Sequence, residues 1–163
     1  MTKSLKHTGS RTGAVLVSLL LLLTLAVSAS AAAVKMTVGV RFWRESGDKE
    51  SMADSAVDTT REATLTRQPN GTFTLELPVK QLSSMNMTGC LTGIAIGEVN
   101  YDGTLSGDLS DGTAVLTLKN LPASVLTGSD SSKALAVTCS IKMDTILLGD
   151  ISTSAKMSIW VER

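Results

Sequence analysis

Few residues of this chain can carry chemistry, and their positions exclude most of it. The 163 residues hold one histidine, His7, in a stretch that reads as a leader. Residues 32–163 therefore offer no Ser–His or Cys–His nucleophile pair, no zincin site and no histidine ligand for haem. Two cysteines remain, Cys90 and Cys139. In an exported chain two cysteines are more often paired than free, so a Cys90–Cys139 disulfide is expected, with two buried thiols as the alternative. A methionine thioether can ligate haem iron. Met36 falls on the apolar face of a strand, which leaves Met52, Met85 and Met87, all read in loops, as donor candidates.

The carboxylates argue no more strongly for catalysis. Asp48, Glu50, Asp54 and Asp58 cluster in sequence, but their spacing matches no calcium loop such as the EF-hand, and they read as solvated charge. Asp102, Asp108 and Asp111 read as turn formers. No Gly-x-Ser-x-Gly, P-loop or dinucleotide fingerprint is present. An enzyme is not expected.

The element that would position a site is the stretch Gly47–Val57, which has helical character in a chain that otherwise reads as strands. Asp48 or Ser51 is placed to cap a single turn, with Asp54 three residues after Ser51 in capping-box spacing. A short helix between the first two strands is expected to act as a lid over one end of a sheet.

The chain opens with Lys3, Lys6, His7 and Arg11, followed by an apolar run from Ala14 to Val27 and then Ala29-Ser30-Ala31. That order is a secretory signal peptide, and the run is short of the roughly 20 residues a bilayer span needs. Cleavage after Ala31 is expected, leaving one domain over residues 32–163, exported or surface-bound, with no membrane span. That loss removes three of the 15 Lys and Arg and none of the 15 Asp and Glu, for a net charge of about −3. Slight acidity without a basic run argues against nucleic acid as a partner.

Val34 to Trp43 alternates strictly, with Val34, Met36, Val38, Val40 and Phe42 on one face, as a half-buried strand requires. Glu62–Arg67 and Thr72–Val79 alternate on either side of Pro69-Asn70-Gly71, a hairpin signature. Lys80–Gly89 reads as a loop. Leu91–Val99 reads as a strand with a bulge at its glycines, Tyr101–Gly112 as an exposed turn region, and Thr113–Leu118 as a strand. In Ala134–Met143 the alternation points Cys139 inward with Val137 and Ile141. Ile146–Leu148 and Ala155–Val161 are expected to form the last strand pair, joined at Gly149-Asp150. The sum is an all-β, immunoglobulin-like antiparallel β-sandwich of seven to eight strands, with a short helix between strands 1 and 2.

Ser51-Met52-Ala53-Asp54 after the first strand, the Asn70-Gly71 hairpin and the closing Met157-Ser158-Ile159-Trp160-Val161 together give a layout that resembles the NEAT (near iron transporter) domains of bacterial surface proteins. The resemblance spans roughly Val34 to Val161. It implies a haem-binding module in which the short helix is the upper lip of the pocket, Ser51 bonds a propionate and Met52 is a wall residue. It implies haem as cofactor, and haem, a host haem protein or another surface protein as partner. The family's last hairpin presents two tyrosines, the first of which ligates iron. Their places fall near Ile151 and Ala155, and the chain's one tyrosine, Tyr101, lies elsewhere. An exported β-sandwich that contacts protein or envelope without a cofactor is the alternative.

Overall fold

The computed structural model describes residues 32–47, 49–84, 87–144 and 149–162, so the expected leader and the segment Ile146–Leu148 lie outside the described residues. From Ala33 onward the chain forms one unit. Ten strands follow one another: β1 (Val34–Arg44), β2 (Ala63–Arg67), β3 (Phe73–Pro78), β4 (Leu82–Ser84), β5 (Met87–Ile96), β6 (Val99–Asp102), β7 (Thr104–Ser106), β8 (Val115–Leu121), β9 (Leu135–Met143) and β10 (Asp150–Val161). A 3-10 turn, Met52–Ala56, stands between β1 and β2, as the sequence predicts, and two shorter 3-10 turns precede β9.

All pairings are antiparallel, in the order β4-β5-β9-β10-β1-β2-β3-β8-β7, with β6 on β5. Two segments pass from one layer of the sandwich to the other. β1 pairs with β2 through Val34–Val38 and with β10 through Val38–Arg44. The β6–β7 segment bonds β5 through Val99–Asp102 and β8 through Thr104–Ser106, so it closes the far edge. Gly103 is the pivot. Its N–H donates to the Thr92 carbonyl at 2.8 Å, and a Cβ there would lie 2.3 Å from Leu116 and 2.9 Å from that carbonyl oxygen. Only a residue without a side chain allows so close an approach.

Alternation fills the core. Val38, Val40 and Phe42 of β1, Leu65 of β2, Leu75 and Leu77 of β3, Leu116 and Leu118 of β8, Val137, Cys139 and Ile141 of β9, and Met157 and Ile159 of β10 form one buried cluster. The predicted β2–β3 hairpin forms with the register Leu65↔Leu75 and a turn at Asn70-Gly71. A register shift between Leu91 and Gly93 is the predicted bulge.

Four expectations need correction. The strand count is ten because β4, β6 and β7 are three or four residues long and mostly polar, too short for alternation to reveal them. Lys80–Gly89 is accordingly not a loop: it holds β4 and the start of β5, so Met87 opens a strand. Tyr101–Gly112 contains the end of β6 and all of β7. The last strand begins at Asp150 and runs unbroken for 12 residues with β9 as its hairpin partner, from Asp150↔Lys142 to Met157↔Leu135.

The expected Cys90–Cys139 disulfide is absent, and both cysteines are buried free thiols. On the β5–β9 ladder Cys90 lies opposite Lys142 and Cys139 opposite Ile94. At about 3.3 Å per residue the three positions from Lys142 to Cys139 span ~10 Å, beyond the ~7 Å Cα separation a disulfide bridges. Cys139 also shares the core face with Ile141, whereas Cys90 shares the opposite face with exposed Lys142.

Candidate functional site

The lid is built by one unpaired edge. On β1, Phe42 faces Met157 of β10, but its own peptide groups point the other way, where β2 has already ended. The turn takes over that edge: Ser51 N–H donates to the Phe42 carbonyl at 2.9 Å, and Phe42 N–H donates to Asp54 Oδ1 at 2.7 Å. Arg44 N–H donates to the Lys49 carbonyl. At its far end the turn is tied to β3, through a Val57↔Val79 bridge and the Lys80 N–H donating to the Ala56 carbonyl. Ala53 and Ala56 are fully buried beneath it. The turn thus stands in for a missing strand and satisfies backbone groups that would otherwise be stranded.

This geometry assigns distinct roles to the candidate residues. Asp54 is not a capping-box partner of Ser51. It is 8% exposed and anchors the lid on β1. Burial pushes its pKa up, against the lowering effects of the Phe42 N–H and the Arg41 charge. Ser51 occupies the N-cap position, yet its side chain makes no cap hydrogen bond. Its hydroxyl is buried, the residue being 7% exposed, and has no partner. Met52 sits at the start of the turn and is 39% exposed. Asp48 lies outside the described residues. Glu50 pairs with Arg41 at 2.9 Å. Asp58 accepts from the Thr60 N–H and hydroxyl, which hold its pKa down. Asp108 and Asp111 close turns onto Ser110 and Thr113, as expected. Among the described residues no three His, Cys, Asp or Glu side chains gather to hold a metal.

The hairpin positions that the resemblance pairs with the lid are apolar. Ile151 lies opposite Ile141, and Ala155 lies between Val137 and Arg44 and is 2% exposed. Tyr101 lies opposite Ile94 on β6, and β5 and β9 separate it from β10. Met143 and Met157 belong to the core and Met36 packs against it. Met85 lies outside the described residues. Of the methionine candidates, Met52 stands at the lip and Met87 opens β5.

A feature not anticipated from sequence lies on the outer face of β1. A cavity of about 280 Å³ opens between β1 and the Val57–Ala63 segment, with Trp160 and Glu162 on its rim. Two further cavities, of about 280 and 210 Å³, lie beside Met36 and Phe73 and beside Ala95 and Thr138. Neither Ser51 nor Met52 lines any of the three. The available signal was Gly39 in the middle of β1, which lies opposite Trp160. A strand glycine marks close approach by another group.

No family model matches the chain, and no curated protein matches it. Among solved structures it is similar to the NEAT5 domain of IsdX2, a B. anthracis hemophore, in complex with heme, and to a mutant of that domain, also in complex with heme. Each match has a TM-score of 0.50 and 9% sequence identity, and covers 80% of this chain and 98% of the other. The fold is therefore NEAT-like.

Proposed function

We propose that this chain is a non-catalytic binding module of NEAT-like type that meets its ligand at the lip formed by Ser51 and the Met52–Ala56 turn, and that the ligand is haem or a haem-bearing protein. The observation that carries the reading is the Ser51 hydroxyl, buried and without a partner, in the same turn as an Asp54 carboxylate that accepts from the Phe42 N–H. A stranded polar group costs about 1–3 kcal/mol, and a ligand carboxylate accepting from this hydroxyl would recover that cost. Exposed Met52 supplies an adaptable apolar contact beside it. The NEAT-like fold supports the same ligand class.

The residues present do not fit the family's usual iron bond at the floor. Ile151 and Ala155 carry no donor atom, and Tyr101 lies on the wrong strand. Haemin titrated into the protein should give a saturable Soret shift without a tyrosinate signature. Ser51→Ala should weaken it by about 1–2 kcal/mol, the scale of a hydrogen bond to a charged group. Met52→Ala should also weaken it, and Tyr101→Phe should leave it unchanged. A complex abolished by Tyr101→Phe would refute the placement of the site.

A second reading, contact with another surface protein through the same lip and without cofactor, is favoured by Met52 standing exposed where none of the three cavities opens. Silence towards haemin, together with Met52-dependent binding of a haem-free partner protein, would select it. Export follows from the expected leader, and the intact mass of the secreted protein should place its first residue at or near Ala32. Among the described residues no helix is long and apolar enough to cross a membrane.

A further inference from the structure

The edge of β1 that β2 leaves and the lid recovers has a one-residue gap, and the outer-face cavity opens on it. β2 pairs as far as Val38↔Ala63, and the turn takes up Phe42. Between them stands Val40. In an antiparallel ladder the residues whose peptide groups face a given partner alternate. Phe42 bonds away from β10, and so must Val40. Ile159, opposite Val40, confirms this: its carbonyl accepts from Thr127 and Gly128 and its N–H donates to the Thr127 hydroxyl, all on the side away from β1. Val40 N–H and C=O therefore face the gap, and among the described residues no partner meets them there.

The walls of the gap combine an aromatic surface with unspent polar groups. Trp160 lies directly over Gly39, where a Cβ would sit 2.2 Å from two of its ring carbons. Arg41 gives Nη1 to Glu50, but its Nε is buried with no partner. Arg61 is committed to the carbonyls of Gly112, Thr113 and Ala114, and Asp58 to Thr60. Glu62 and Glu162, both exposed, make no side-chain hydrogen bond among the described residues and remain as acceptors.

We propose that this gap is a binding site for a neutral saccharide unit, with one ring resting on Trp160 and its hydroxyls bonded by Val40, Arg41 Nε, Glu62 and Glu162. An anion entering it would face three carboxylates, and a cation two guanidinium groups. An uncharged polyol uses donors and acceptors together, and its C–H face covers the indole. A peptide strand is a poor occupant, since strand addition needs a run of free edge and only one residue is open here. The volume of about 280 Å³ sits at the small end of ligand pockets and suits a single ring, with the rest of a glycan projecting outward. The site is separate from the lip, and its standing does not depend on the haem reading.

The test uses the indole N–H resonances of Trp43 and Trp160 in nitrogen-15-labelled protein. Glucose, galactose and N-acetylglucosamine are titrated one at a time into the millimolar range. At least one should move Trp160 saturably while Trp43 stays still. Glu62→Gln and Glu162→Gln should each weaken that binding about fivefold, the scale of one hydrogen bond, with the melting temperature unchanged. Ser51→Ala should have no effect. The proposal is overturned if none of the three sugars shifts Trp160, if both glutamine variants bind as the wild type does, or if acetate or methylguanidinium saturates the shift at lower concentration than any sugar.

Discussion

Replacing Asp54 distinguishes its role as an acceptor from its role as a charge. Its Oδ1 accepts the Phe42 N–H at 2.7 Å in a residue only 8% exposed. Asp54→Ala removes the acceptor and strands a buried N–H, which costs about 1–3 kcal/mol. Asp54→Asn keeps an acceptor oxygen in place and discards a carboxylate whose ionised form burial penalises. The asparagine variant should therefore lie within about 1 kcal/mol of wild type at neutral pH, while the alanine variant falls well below both. The pH dependence has a definite sign. A pKa raised in the folded state contributes stability that is full below the unfolded value, ~3.9 for Asp, and is lost as pH rises through the folded value. Wild type should thus gain on Asp54→Asn as the solution is acidified. Urea unfolding with a shared m-value, run from pH 4 to pH 7, measures all three proteins. If Asp54→Asn is as damaging as Asp54→Ala, or if wild type loses ground to it in acid, the acceptor argument fails.

The remaining predictions concern the thiols, an exposed ion pair and the closing strand. Thiol titration of unfolded, unreduced protein should find both cysteines free; in the native state Cys139, which burial pushes up to about 12, should react only on unfolding. Glu76, held below its ordinary pKa by the Thr64 hydroxyl and Lys35, contributes stability above the usual glutamate range that is lost as pH falls through its lowered value. The difference between wild type and Glu76→Gln should accordingly be small and vanish in acid, since the pair is exposed. Gly103→Ala should destabilise by about 1–3 kcal/mol, the usual cost of forcing an atom into packed structure, with the loss read from the thermal midpoint. An unchanged midpoint would mean that β6–β7 does not need its glycine pivot.

Legibility followed the length and regularity of each segment. β1, the β2–β3 hairpin and β9 could be read from sequence because period-two alternation over five or more residues leaves one solution for which side is buried. The lid was readable because Ser51 to Asp54 breaks that alternation between two strands. The short polar strands β4, β6 and β7 were not, since their pairing comes from neighbours distant in sequence and not from their own pattern. The cysteines show the same division. Alternation put Cys139 on the core face, but the bulge between Leu91 and Gly93, and the register it sets, decided that Cys90 lies too far along the ladder and on the other face.

The sequence by itself determined that residues 32–163 form an all-β domain without histidine, and that a turn after the first strand is its distinctive element. Only the tertiary structure decided what that turn does. The point where β1 changes partners from β2 to β10 leaves an edge that Ser51 and Asp54 must cover, and it strands the Ser51 hydroxyl in doing so. The same change of partners leaves Val40 open in the cavity that Trp160 also lines. Such a gap is a property of register between strands up to 123 positions apart (Val38↔Val161), and no local pattern in the chain encodes it.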